Sequence, residues 1–95
     1  MHDEPVDYPI DGTLDLHMFR PAEVKSVVDE YLSQCRLKGI LRVRIIHGKG
    51  QGVLRSIVRS RLESCGFVRM INTADDASSW GATIAILEPL PEDGA

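Results

Sequence analysis

Residues 13–17, Thr-Leu-Asp-Leu-His, alternate apolar and polar with period two and predict a strand. After a short connection at Phe19-Arg20, Pro21 suits a first helical turn and Glu23 its positive end. Val24, Val27, Val28, Tyr31, Leu32 and Cys35 then recur at helical spacing, with Gly39 as the stop. A second strand follows at 41–46, where Leu41, Val43 and Ile45 alternate with Arg42 and Arg44. Val53, Leu54, Ile57, Val58, Leu62 and Cys65 form one stripe of a second helix over about 52–65, ended by Gly66. Residues 67–71 predict a third strand, 72–79 a polar loop with a turn at Asp75-Asp76, and 82–87 a fourth strand before Pro89 and Pro91.

The order β-α-β-α-β-β predicts an α/β (α+β) two-layer sandwich: a four-stranded mixed sheet with two helices on one face. Leu14, Leu16, Leu41, Val43 and Ile45 are expected to face the helices. Asp15, His17, Arg42 and Arg44 are expected on the open face, joined there by Thr83 and Ala85. Residues 1–11, with Pro5, Pro9 and several acids, read as an acidic N-terminal arm, 12–88 as the domain, and 89–95 as a C-terminal tail.

Ninety-five residues suffice for one domain with a modest core. No apolar run reaches the ~18 residues of a membrane span, and the acidic start, Met1-His2-Asp3-Glu4, lacks the basic and apolar regions of a secretory signal. The expectation is therefore a cytoplasmic protein without a membrane partner, and a monomer is compatible with this reading. Cys35 and Cys65 fall at the ends of helical stripes and form no CxxC pair, which argues for buried thiols over zinc ligands. The net charge of −3 hides a basic middle. From Arg36 to Arg69 the cations are Arg36, Lys38, Arg42, Arg44, Lys49, Arg55, Arg59, Arg61 and Arg69, against Glu63 as the single acid. That local field favours a polyanionic partner despite the acidic total.

The candidate chemistry lies at the strand ends. His47-Gly48-Lys49-Gly50-Gln51-Gly52 joins the second strand to the second helix. Its glycines let a ligand approach the backbone, the helix start offers unpaired N–H groups to a phosphate, and Lys49 adds a cation. Asp15 and His17, two apart on a strand, share a face, so the carboxylate can fix the imidazole's tautomer and stabilise its cation. With His47 at the same end of a parallel neighbour, two imidazoles are placed as general base and general acid toward one phosphodiester. Gly48, Lys49, Gly50, Gly52, Arg42, Arg44 and Arg55 are the candidate phosphate-binding residues. The loop misses both the Walker and the dinucleotide-binding spacings, which disfavours nucleotide hydrolysis and redox work. A metal site on Asp15, His17 and His47 would take three ligands from two strands with no second carboxylate nearby. No cofactor is required, and ligand spacing does not support a divalent metal.

Leu14-Asp15-Leu16-His17 and His47-Gly48-Lys49-Gly50-x-Gly52 together resemble the Smr (small MutS-related) domain family. The opening Phe19-Arg20-Pro21-Ala22-Glu23-Val24-Lys25 and the closing Trp80-Gly81-Ala82-Thr83 look like its stand-alone short bacterial members. The resemblance spans roughly 12–88. It implies a sandwich similar to the C-terminal domain of translation initiation factor three. It also implies nucleic-acid binding, with nicking or RNA-cleaving endonuclease activity in several members. By the same resemblance Asp15 and His17 match residues tied to cleavage, and His47, Gly48, Lys49, Gly50 and Gly52 match the loop that approaches the phosphate backbone. The chain departs from the pattern twice. Met18 stands where glycine is common, a bulky residue expected to narrow the approach to His17, and Gln51 stands where Thr or Ser is usual.

The expected function is a nucleic-acid-binding domain with endonuclease activity on RNA or structured DNA. The alternatives are a non-catalytic nucleic-acid-binding module that positions a partner, and a protein- or anion-binding domain.

Overall fold

The computed structural model describes residues 10–48, 52–73 and 81–91. Its elements are β1 (Thr13–Asp15), α1 (Pro21–Leu37), β2 (Arg42–Ile46), α2 (Val53–Ser64), β3 (Val68–Thr73) and β4 (Ala82–Leu87). The predicted order holds, with two boundaries moved. β1 stops at Asp15 because that carboxylate accepts the His17 N–H at 3.0 Å and turns the chain. β3 continues to Thr73, past the loop start expected at Asn72, because β4 supplies the pairing: Asn72 lies opposite Ile84 and Thr73 opposite Thr83. Residues 1–9 of the arm, the Asp75-Asp76 turn and 92–95 of the tail lie outside the described residues.

The strands lie in the order β1-β2-β4-β3. β1 and β2 are parallel, and β4 runs antiparallel to both β2 and β3. Both helices cover one face, giving the expected two-layer sandwich. The core between the layers takes Leu14 and Leu16 from the β1 segment, Val43 and Ile45 from β2, and Ala85 and Leu87 from β4. α1 contributes Val24, Val28, Tyr31, Leu32 and Cys35, and α2 contributes Val58 and Leu62. Each such large aliphatic side chain is worth about 1.5–3 kcal/mol of burial.

Register corrects one expectation. Thr83 pairs with Ile45 and Ala85 with Val43, and directly opposed residues share a face. Thr83 and Ala85 therefore lie on the helix side, and both are buried. The open face carries Ile84 and Ile86 instead, opposite Arg44 and Arg42. It is basic along β2 and aliphatic along β4. As a central strand, β4 is apolar in both directions, so its sequence has no polar alternation to reveal which face is which.

Two ties hold the ends. The Tyr31 hydroxyl accepts the Gly12 N–H at 3.1 Å and donates to the Thr13 carbonyl at 3.0 Å, pinning the entry to β1. Arg36 donates to the carbonyls of Glu88 and Pro89 at 2.8 and 3.2 Å and lies over the Phe67 ring, fixing the exit from β4. Cys35 and Cys65 are free thiols, and burial pushes the Cys35 thiol up. Among the described residues no helix is long and apolar enough to cross a membrane.

Candidate functional site

The first half of the site is built by the end of β1. Leu16 still donates to the Ile46 carbonyl at 2.9 Å, so the chain stays beside β2 for one residue beyond the strand. A turn closed by Phe19 N–H to the Leu16 carbonyl, 3.0 Å, then leads into α1. There the Glu23 carboxylate accepts the Arg20 N–H at 3.0 Å, satisfying a donor at the helix start. Within this turn one Asp15 oxygen accepts both the His17 backbone N–H, at 3.0 Å, and the ring Nδ1–H, at 2.7 Å. Those two bonds hold the Asp15 carboxyl below its usual range, the backbone bond contributing most. The group is therefore an acceptor near neutral pH, which in the neutral His17 ring places the proton on Nδ1 and the lone pair on Nε2. The His17 side chain is 73% exposed, so that lone pair is available to a ligand.

The Met18 side chain is 77% exposed, and its φ is not positive, so the residue common as glycine is accommodated without backbone strain.

The second half follows β2. The backbone N–H groups of His47 and Gly48 both donate to the Gly81 carbonyl, at 2.8 and 2.9 Å. Gly48 has φ +83°, a left-handed turn that leads the chain off the sheet. A Cβ on Gly81 would meet the Gly48 Cα and carbonyl carbon at 3.0 Å, so this close approach depends on glycine at that position. His47 is only 8% exposed. Its Nδ1 lies 3.1 Å from the Gly48 carbonyl, which can only accept, and its Nε2 lies 2.9 Å from the Thr83 hydroxyl. The ring is thus the neutral Nδ1–H tautomer, and Nε2 accepts from Thr83. Burial pushes the His47 pKa down, and the charge of Arg55 adds to that effect.

α2 follows Gly52, whose φ of +88° is left-handed; among the described residues no side chain caps its first N–H groups, and its first turn holds no acid. This end is open to an anion in charge and in hydrogen bonding. Arg55 stands in that first turn. Lys49 and Gly50 lie outside the described residues.

The candidate residues therefore fall into three groups. Asp15 pairs in register with Ile46 and Thr13 with Arg44, placing Asp15 on the open face with Arg44 and Arg42. His47 follows Val43 and Ile45 toward the helix side, where it meets Thr83. Arg55 and Gly52 belong to α2, on the helical layer. The Asp15–His17 couple and His47 share the C-terminal end of the parallel pair, but no hydrogen bond joins them. The two imidazoles differ: the His17 ring is exposed and bonded to Asp15 through Nδ1, whereas the His47 ring is buried with both nitrogens engaged. Thr83 and Gly81 are site residues that strand patterning missed. The Trp80-Gly81-Ala82-Thr83 segment signalled them only through family likeness. Among the described residues, no group of three or more His, Cys, Asp or Glu side chains is arranged to hold a metal ion.

The Smr domain profile matches residues 14–88. The chain is 34% identical over 80 residues to Endonuclease MutS2 of Lactococcus lactis subsp. cremoris, covering 83% of this chain and 10% of that protein. It is 39% identical over 61 residues to Endonuclease MutS2 of Carboxydothermus hydrogenoformans, covering 64% of this chain and 8% of that protein. It thus spans about a tenth of the length of the curated relatives it matches. The fold superposes on the Smr domain of Thermus thermophilus MutS2 with a TM-score of 0.77 at 31% identity, covering 83% of this chain and 100% of that one. It superposes on YdaL, a stand-alone small MutS-related protein from Escherichia coli, with a TM-score of 0.74 at 26% identity, covering 86% and 68%.

Proposed function

This chain belongs to the Smr domain family, and on that premise we propose that it binds nucleic acid and cuts its phosphodiester backbone. The observation that carries the reading is the 2.7 Å contact between Asp15 and the Nδ1 of an otherwise exposed His17. It lies at the same end of the parallel strand pair as His47 and Gly48.

In this reading His17 Nε2 removes a proton from the attacking oxygen, which is a water or the 2′-hydroxyl of RNA. The Asp15 carboxylate stabilises the imidazolium that results. The attacking oxygen bonds to phosphorus as the bond to the leaving oxygen breaks; the leaving oxygen takes a proton from solvent water, and the His17 imidazolium returns its own proton to solvent. The N–H groups at the start of α2, Arg55 and Lys49 offset the charge on the phosphoryl oxygens, and Gly48, Gly50 and Gly52 let the backbone come close. His47 positions this loop through Thr83 and Gly48 and transfers no proton. The test is incubation of the protein with end-labelled RNA and with nicked or branched DNA, beside Asp15→Asn and His17→Gln. Product formed by the wild type and lost in both variants supports the reading. Cutting that survives both substitutions overturns the catalytic assignment. A 2′,3′-cyclic phosphate end marks 2′-hydroxyl attack on RNA.

One observation favours binding without cutting: both nitrogens of His47 are engaged, so among the described residues no second imidazole stands ready to protonate the leaving oxygen. Salt-sensitive binding with no product from any substrate selects that reading.

A further inference from the structure

A cleft of about 460 Å³ runs along the outer side of α2, lined by Gly52, Arg55, Ser56, Arg59, Ser60 and Glu63. These positions recur at three- and four-residue spacing, which makes them one continuous helix face. No large apolar side chain is among them, so the cleft offers nothing for a hydrophobic partner to bury against. It offers two guanidinium forks and two hydroxyls, the donors that suit phosphate oxygens.

The other arginines of the basic middle are placed differently. Arg61 makes a two-pronged pair with Asp29, at 3.2 and 2.9 Å. Arg69 lies 3.8 Å from Glu88, and Arg36 holds the C-terminal strand exit. Arg42 and Arg44 belong to the open face of the sheet, on the far layer from α2. Arg59 has a single ion-pair partner among the described residues, Glu63 at 3.0 Å. That is an exposed pair four residues apart on a helix, a weak kind that a phosphate can displace.

We propose that this face of α2 is a track for the sugar–phosphate backbone of a nucleic-acid strand, leading away from the start of that helix. The inference rests on the nucleic-acid reading above and gives that reading a direction. The track starts at the uncapped Gly52 end of the helix, where Arg55 is close enough for its charge to act on His47. One turn on, about 6 Å along the axis, Arg59 holds a further phosphate of the same strand, with Ser56 and Ser60 beside it. Glu63 ends the track by its negative charge. A repeating polyanion fits such a row of donors.

The test is fluorescence anisotropy with labelled 20-nucleotide oligouridylate and oligothymidylate, in an Asp15→Asn background so that the strand is not cut. Affinity is measured across a salt series. Arg59→Gln lowers the salt slope by about 0.7, and Arg55→Gln/Arg59→Gln by about 1.4, since each lost single-strand phosphate contact removes about 0.7. Lys25→Gln/Lys38→Gln, which removes the same charge from α1 and the residue that follows it, leaves the slope unchanged. Glu63→Gln frees Arg59 and tightens binding. A dinucleoside monophosphate, whose single phosphate cannot occupy the Arg55 and Arg59 positions together, loses less affinity in Arg59→Gln than the 20-nucleotide strand does. A parent that binds strands with an unaltered slope in Arg59→Gln overturns the track and leaves the nucleic-acid reading standing. A parent that binds no strand overturns both. Displacement of the strand by polyglutamate as readily as by unlabelled oligonucleotide also overturns the track, since it makes the face a site for acidic polypeptide.

Discussion

The Nε2 of His47 accepts the Thr83 hydroxyl at 2.9 Å, across the pairing of β2 with β4. This bond converts the histidine of the glycine loop from a free imidazole into a strut. It sets the orientation of the ring and hence the path of the chain as it leaves the sheet at Gly48.

Removing the donor is expected to be costly. Thr83→Val keeps the shape but leaves a buried nitrogen without a partner, a loss of about 1–3 kcal/mol. For a domain of this size each kcal/mol lowers Tm by roughly 4–8 °C. Thr83→Ser, which retains the hydroxyl, recovers most of it. Thermal unfolding of the three proteins checks this. Equal melting of the Val and wild-type proteins would show that the bond contributes nothing to stability.

The same ring makes stability depend on pH. Its folded pKa lies below the ordinary value of 6.5, so the unfolded chain binds the proton more readily. Stability from this group is complete above about pH 6.5 and is lost as pH falls from there toward the folded value. Asp15, held below its ordinary 3.8, also contributes stability that is lost on acidification, but only in a more acidic window. Urea unfolding from pH 7.5 to 5 is therefore expected to show declining stability, and His47→Gln to flatten the decline. An unflattened slope would assign the dependence to other groups.

Gly81→Ala places a methyl carbon 3.0 Å from the backbone of Gly48, where no flexible side chain can yield. The loop is expected to shift, with reduced stability and a fall in strand binding. Gly66→Ala meets nothing within 4 Å and does not require a positive φ, so it serves as the neutral control. Melting temperature and the chemical shifts of the Gly48 and Gly52 amides report both effects.

Asp15→Asn and His17→Gln act on an exposed couple, so both are expected to fold with near-native stability. Loss of a general base lowers turnover by about 10²–10⁴-fold. Asn cannot stabilise the imidazolium, so the Asp15 variant falls within the same range while strand affinity changes little. Initial rates and anisotropy on the same substrate separate the two effects. A large drop in affinity would recast the couple as a binding element.

Much of this was legible along the chain. The alternation Leu14-Asp15-Leu16-His17 sets the carboxylate and imidazole two residues apart, and the 2.7 Å contact follows from that local spacing once the Asp15 carboxylate turns the chain at His17. The stripes of α1 and α2 declare their buried sides because their opposite sides are polar. The glycine at 52 marks the start of α2 for a local reason, a left-handed φ. All of these are settled within one helix turn or two strand residues.

Strand order was settled elsewhere. β4 inserts between β2 and β3, and only that insertion brings Thr83 to Ile45 and Gly81 to Gly48. Those partners are more than thirty residues apart, and β4 is apolar on both sides, so its pattern has no preferred face to announce. The role of His47 followed from that placement: a residue whose sequence neighbours suggest proton transfer became a buried acceptor once a hydroxyl arrived from across the sheet. The separation of Arg42 and Arg44 from Arg55 has the same origin. Sequence proximity groups these cations, whereas the two layers of the sandwich direct them to opposite sides.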